Sequence, residues 1–103
     1  MPTQTFDIGD VPRLPVKVKD YDGNLVDPGS IKLIVDPPGA TSVEFAGSAP
    51  AYTPIVRVSL GSFYCLVDLL TVEGAYEFRW ETDSPKGAEQ GRFFVRKKNV
   101  VPP

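Results

Sequence analysis

The segment "GAYEFRWETDSPKGAEQGRFFVR", residues 74–96, decides the fold of this chain. Aromatic side chains occupy alternate positions at Tyr76, Phe78 and Trp80, and charged side chains lie between them. Successive side chains of a β-strand point to opposite faces, so the alternation predicts a strand with one aromatic and one charged face. Because each aromatic ring buries roughly 150–250 Å² in a core, we predict that these three rings anchor the core.

An exposed aromatic platform for bases or sugar rings is the alternative interpretation of the same segment. Such a platform needs an apolar, buried face on the other side of the strand. The other face here carries Glu77, Arg79 and Glu81. The sequence therefore favours a core role for the aromatic residues.

Short runs of alternating apolar and polar residues fill the rest of the chain, and 11 prolines and nine glycines separate them. This pattern predicts an all-β protein with seven antiparallel strands. The predicted strands are "RLPVKVK" (13–19), "SIKLIVD" (30–36), "SVEFA" (42–46), "IVRVSL" (55–60), "FYCLVDLL" (63–70), residues 75–82 and residues 92–97. Pro15 has no N–H to donate, so we expect the first strand at a sheet edge.

Two neighbouring runs differ in how well their phase is determined. In "IVRVSL" the alternation places Val56, Val58 and Leu60 in the core. The run "FYCLVDLL" is apolar on both faces, so its phase stays open. It suits a central strand that is covered on both sides, or a strand that meets a partner.

The residues that usually carry catalysis are scarce. The chain contains no histidine, the commonest general base and metal ligand. Its single cysteine, Cys65, lies in an apolar run without a basic neighbour in sequence, which favours a core residue over a nucleophile. The glycines fall one per turn and form no phosphate-binding loop. We therefore predict no enzymatic activity, no cofactor and no metal site.

The segment "DYDGN", residues 20–24, has two interpretations. Asp-Gly and Asn favour the positive φ angles of a tight turn. A calcium loop would need six to eight oxygen ligands, with glycine at its sixth position and a bidentate carboxylate further on. The glycine here comes fourth and no glutamate follows at the required spacing, so we predict a turn.

Charge and hydropathy limit the possible partners. The net charge of −2 argues against a nucleic-acid surface, which needs a concentrated basic footprint. The basic residues Arg92, Arg96, Lys97 and Lys98 suit a solvated strand end or, less often, an acidic partner. No apolar run is long enough to cross a membrane, and "MPTQTFDIGD" lacks the features of a secretory signal. We expect a cytoplasmic origin, which also fits a chain without a cysteine pair.

Two parts of the sequence pattern resemble known β-sandwich proteins. The stretch "LTVEGAYEFRWE", with Leu70, Gly74 and Tyr76, resembles the turn into strand F of an immunoglobulin-like sandwich, where a tyrosine corner closes the fold. The chain as a whole resembles the small immunoglobulin-like proteins found among virion genes of tailed bacteriophages. The motifs that carry this resemblance are "FDIGD", "VKDYDGNLVDPGSIKLIVDPPG", "GSFYCLVDL" and "GAYEFRWET" followed by "GAEQGRFFV".

The length of 103 residues, with no linker long enough to separate two domains, predicts a single domain over residues 1–103. The phage resemblance implies that this domain is a seven-stranded antiparallel immunoglobulin-like β-sandwich. It also implies a non-enzymatic structural part of the virion, assembled in the host cytoplasm. The protein would bind capsid, neck or tail subunits as a decoration or cement protein or as a neck or tail component. A homo-oligomer within the particle stays open.

The surface and the two ends of the chain are the predicted attachment points. Residues 1–6 and 99–103 are short and rich in proline, and we expect extended arms there, with plain disorder as an equal alternative. Ile34 and Phe94 fall on the otherwise polar faces of their strands. The predicted partner-binding residues are Ile34, Phe94, Val100 and Val101.

The alternative function is a carbohydrate-binding or cell-surface-binding adhesion module. It would need exposed aromatic rings. Tyr21, Tyr52 and Tyr64 are the residues that could supply them.

Overall fold

The computed structural model describes residues 4–97, which form eight β-strands and no helix. The strands are β1 (Gln4–Asp7), β2 (Arg13–Lys17), β3 (Ser30–Asp36), β4 (Val43–Ser48), β5 (Val56–Ser59), β6 (Ser62–Leu66), β7 (Gly74–Asp83) and β8 (Gly87–Arg96). They form a five-stranded sheet in the order β1-β8-β7-β3-β4 and a three-stranded sheet in the order β2-β6-β5. The all-β prediction is confirmed. The described residues include no helix long and apolar enough to cross a membrane.

The strand β1 was missed by the sequence pattern. It pairs in parallel with β8, so the prediction of seven strands, all antiparallel, is wrong at this edge. "QTFD" contains one apolar residue and shows no alternation that would mark it as a strand. Its position comes from tertiary contacts: Phe6 packs edge-on against Phe93 with ring centroids 5.5 Å apart, and Arg96 Nε donates to Asp7 Oδ1 at 2.7 Å. Residues 4–6 of the predicted N-terminal arm thus belong to this sheet.

The aromatic side chains of β7 face inward, as predicted. Tyr76 and Trp80 are fully buried, and the Tyr76 ring stacks on Phe93 with centroids 5.1 Å apart. Phe78 is only half-buried and lies opposite Gly91 on β8. A Cβ atom at Gly91 would lie 2.5 Å from Cζ of the Phe78 ring, so this position accommodates the ring because it carries no side chain.

Both sheets contribute to one core. The buried apolar residues within strands are Leu14, Val16, Ile31, Leu33, Val35, Phe63, Cys65, Tyr76, Trp80, Phe93 and Val95. Their positions alternate along β2, β3, β6 and β8, so each of these strands turns its other side chains outward. The molecule therefore has two outer sheet faces of different composition.

The turn at residues 20–24 is confirmed. The Asp20 carboxylate accepts hydrogen bonds from the backbone N–H groups of Asp22 and Asn24 at 2.9 and 3.0 Å. Gly23 has a φ of 84°, the left-handed conformation that glycine adopts without strain.

The phase predicted for β5 is wrong. Val56, Val58 and Leu60 are 39%, 64% and 54% exposed, and the buried residue of this segment is Ile55. The alternation favours the wrong phase because three apolar residues lie in it, whereas the other phase contains only Ile55. Arg57 lies opposite the inward-facing Phe63, which turns Val56 to the outer side.

Tyr76 also bridges the connection that precedes its own strand. Its hydroxyl donates to the carbonyl oxygen of Val72 at 2.7 Å, and the ring is fully buried.

We expect Tyr76→Phe to lower the free energy of unfolding by about 1–2 kcal/mol, because the Val72 carbonyl loses a partly buried hydrogen bond. Urea denaturation followed by the fluorescence of Trp80 measures this change. Tyr64→Phe is the control, because its hydroxyl bonds to none of residues 4–97 and its loss should leave the midpoint unchanged. Equal midpoints for the wild type and Tyr76→Phe would contradict the prediction.

Candidate functional site

Ile34 and Phe94 both lie on the outer face of the five-stranded sheet, but the fold keeps them apart. Ile34 is in register with Arg79 of β7, and Phe94 is in register with Ala75, four positions earlier on the same strand. The Arg92–Glu77 ion pair, with 3.4 Å between Nη2 and Oε1, lies between the two levels. They therefore do not form one apolar patch.

Neither of these two residues belongs to an extended apolar patch, although Phe78 lines the same depression as Ile34. Ile34 is half-buried in a shallow depression whose other lining residues include Asp36, Glu77 and Arg92. Phe94 is 41% exposed. Scattered apolar residues of this kind are common on protein surfaces. Val100 and Val101 lie outside the described residues, and the binding role of all four residues stays a prediction.

The charges on this outer face are mutually compensated. Lys32 Nζ lies 3.2 Å from Glu44 and 3.3 Å from Glu81, and Arg79 Nε lies 2.7 Å from Glu81. Glu44 and then Glu81 raise the pKa of Lys32, and the hydrogen bond from Arg79, followed by that from Lys32, lowers the pKa of Glu81. Such a chain of exposed ion pairs suits a face that stays in water.

The outer face of the three-stranded sheet is different. Pro15 of β2 is in register with Tyr64 of β6, and Tyr64 is in register with Val56 of β5. This row crosses all three strands. Leu66 lies on the same side of β6 and is 49% exposed. We call this surface the apolar face. Its residues are Pro15, Val56, Tyr64 and Leu66.

The strand β6 explains why the apolar face was hard to find in the sequence. Its inward residues are Phe63 and Cys65, and its outward residues are Tyr64 and Leu66, so both phases are apolar. The structure settles the phase that the sequence left open. Leu66 is about half exposed, so no residue among 4–97 covers the outer face of β6 at this position. Within the described residues, β6 is therefore not a strand that is covered on both faces. A patch of apolar side chains that persists at the surface is typical of an interaction site.

Cations border the apolar face on the β2 side. Arg13 and Lys17 share the outward side of β2 with Pro15, and the guanidinium carbon of Arg13 lies 4.3 Å from the centroid of the Tyr64 ring. The edge position predicted for β2 from Pro15 is confirmed. None of the outward positions of the three strands carries a carboxylate. The surface is therefore both apolar and positively charged.

An ion pair that the sequence pattern did not reveal holds β5 in place. Arg57 Nε lies 3.1 and 3.0 Å from the two carboxylate oxygens of Asp27, and Arg57 Nη2 lies 2.9 Å from Oδ2. The backbone N–H of Gly61 donates to Asp27 Oδ1 at 2.9 Å. Arg57, followed by Gly61, lowers the pKa of Asp27. The contact holds the partly exposed Arg57 side chain on the side of the sheet that carries Phe63, and Val56 therefore lies on the side that carries Tyr64.

Two side chains with potential reactivity are the thiol of Cys65, which is buried, and the carboxylate of Asp20, which is hydrogen-bonded. Cys65 is 1% exposed, and burial raises the pKa of its thiol to about 11. Residues 4–97 hold no group of three His, Cys, Asp or Glu side chains placed to bind a metal ion. The carboxylate of Asp20 is used by its own turn.

The tyrosines named for carbohydrate binding do not form a common platform. Tyr52 is 4% exposed, its hydroxyl donates to the Pro28 carbonyl at 2.6 Å, and its ring packs edge-on against Phe63. The expectation that Tyr52 is exposed is therefore wrong, because its segment folds back over the core. Tyr21 is fully exposed in the turn at 20–24, and Tyr64 lies under Arg13.

Comparisons of the chain with protein-family models, curated proteins and solved structures find no match. The resemblance to phage virion proteins stays a prediction from the sequence motifs.

The Asp27 carboxylate should make stability depend on pH. The pKa of Asp27 in the folded state lies below the ordinary value of 3.8, so its stabilising effect is present above that value and is lost as the pH falls through the folded-state pKa. We expect the urea midpoint to fall between about pH 5 and pH 2 and to fall less in Asp27→Asn. Asp22→Asn, in an exposed turn, is the control and should follow the wild type. Parallel pH profiles for Asp27→Asn and the wild type would rule this out.

The thiol of Cys65 should not react in the native protein. We expect no labelling by iodoacetamide at pH 8 within hours, because the thiol is buried and its pKa of about 11 keeps it protonated. Mass spectrometry should show one added group only when urea is present. Rapid native labelling would show that β6 opens or that the thiol is activated.

Proposed function

We propose that this chain is a non-enzymatic structural protein of a tailed-phage particle that binds neighbouring virion subunits. It would act as a capsid decoration or cement protein, or as a component of the neck or tail, after assembly in the host cytoplasm. The observation that carries the proposal is the apolar face. A row of apolar side chains that crosses a whole sheet is unusual on the surface of a protein that has no binding partner.

We also infer that the sandwich is of the immunoglobulin type. The order β2-β6-β5 corresponds to strands B, E and D of that fold, and β8-β7-β3 corresponds to strands G, F and C. In this assignment β4 is an added strand beside C and β1 lies beside G. The hydrogen bond from Tyr76 to Val72, at the start of β7, supports the assignment because it matches a tyrosine corner.

The contrast between the two outer faces supports a role in assembly. The five-stranded sheet presents ion pairs such as Lys32–Glu44 and Arg79–Glu81, which are well solvated. The three-stranded sheet presents Tyr64 and Leu66, residue types that gain free energy when a partner covers them. A decoration or connecting subunit needs this combination of one docking face and one face in water.

The absence of enzymatic activity is part of the proposal. The chain lacks histidine, and its only thiol, on Cys65, is buried and protonated at neutral pH. Among residues 4–97, no nucleophile lies beside a general base and an orienting group. The chemistry that this chain offers is recognition.

The test is to look for the protein in particles. We expect mass spectrometry of gradient-purified particles, from the phage whose genome carries this gene, to find the chain at a constant ratio to the major capsid protein. Removing residues 99–103 should lower that ratio if the C-terminal arm is an anchor. A host protein of similar size serves as the control for contamination. A chain abundant in the lysate but absent from the particles would refute the proposed function.

A further inference from the structure

We propose that the apolar face docks onto a neighbouring subunit whose surface combines apolar side chains with carboxylates, and that these carboxylates meet Arg13 and Lys17. The identification of the neighbour as a virion subunit rests on the function proposed above.

The apolar part of the surface is continuous and partly rigid. The row of Pro15, Tyr64 and Val56 runs across the three paired strands, so its side chains are held by the sheet backbone. Arg13 is positioned over the Tyr64 ring at 4.3 Å, which presents its N–H groups at the border of the row. Tyrosine and arginine are enriched at the centres of protein interfaces, because they bury much area and still make directed polar contacts.

The charges select the partner. All the arginines of the chain lie within residues 4–97, and there each one except Arg13 forms an ion pair. Lys17 and Lys19 also have no carboxylate within ion-pair distance among those residues. The outward positions of β2, β5 and β6 carry no carboxylate, and the two carboxylates that flank them, Asp68 after β6 and Glu89 beside Lys17, form no ion pair with these cations. A partner with carboxylates at its border would complete these pairs and speed the encounter.

A second copy of this chain fits the surface less well. If two apolar faces packed with β2 against β2, Arg13 and Lys17 of both copies would lie together, which is unfavourable. If β2 packed over β5 of the other copy, these cations would meet Val56 and no outward carboxylate. Pairing through the free edge of β5 is also disfavoured, because that strand has four residues and a register shift between Arg57 and Ser59. The observations therefore favour a different protein surface as the occupant.

The first experiment uses the isolated protein and a defined probe. We expect a soluble peptide that alternates leucine and glutamate to shift the backbone amide NMR signals of Arg13, Lys17, Tyr64 and Leu66. A peptide that alternates leucine and lysine is the matched control and should leave these signals in place. Absence of shifts with the glutamate peptide, or equal shifts with both peptides, would overturn the proposal. The result does not depend on where the protein resides.

The second experiment changes the surface and measures incorporation into particles. We expect Leu66→Glu and Lys17→Glu to lower the number of copies per particle about tenfold or more, because each places a negative charge against the partner's carboxylates. Val72→Glu and Lys86→Glu are the matched controls, since both residues are exposed and lie off the apolar face, and they should incorporate within about twofold of wild type. Urea midpoints equal to the wild type show that the variants fold. Normal incorporation of both face variants would overturn the proposal.

Two further measurements separate the possible outcomes. In wild-type particles, zero-length carbodiimide coupling should join Lys17 to an Asp or Glu of another subunit, and coupling of Lys86 alone would contradict the proposal. Sedimentation of the isolated chain should show a monomer. A dimer that Leu66→Glu abolishes would instead identify a second copy as the occupant. If the wild type is absent from particles, the proposed virion role fails, and the peptide experiment alone decides the chemistry of the face.

Discussion

The structure depends on burial of the aromatic face of β7 between the two sheets. Tyr76 and Trp80 fill the core together with Phe93, and no disulfide assists them because the chain has one cysteine. Loss of a buried aromatic ring costs about 3–5 kcal/mol, a large part of the roughly 5–15 kcal/mol that stabilises a domain. This contact sets the orientation of both sheets. One face of each sheet is buried in the core, and the other face points to the surroundings.

The outer faces of the two sheets differ because different types of residue alternate with the core residues along their strands. On β7 the alternating residues are Glu77, Arg79 and Glu81. Glu77 and Glu81 pair with cations on neighbouring strands, Arg79 pairs with Glu81 of its own strand, and all three stay partly exposed. On β6 they are Tyr64 and Leu66, which find no apolar cover within the described residues. The same period-two geometry thus gives one face suited to water and one suited to contact with protein.

The sequence predicted what local alternation controls and missed what distant contacts control. The inward direction of Tyr76 and Trp80, the turn at Asp20 and the edge position of Pro15 follow from neighbouring residues, and all are present. The outward direction of Val56 depends on Arg57 meeting Asp27, 30 positions earlier in the chain. Strand β1 depends on contacts with β8 across nearly the whole chain. The apolar face could not be predicted from the sequence either. The run that forms β6 is apolar in both phases, so its sequence does not show which phase faces outward.

The parallel pairing of β1 and β8 has a mechanical consequence. The first described strand and the last run side by side in the same direction, so the chain enters this ladder at the level of Phe93 and leaves it beyond Arg96. Tension applied to the two ends of the described chain pulls the two strands past each other along their length. The hydrogen bonds between the two strands then share the load and must break together, whereas peeling would break them one at a time. A subunit anchored at both ends would transmit force through a strand of four residues without first unravelling its core.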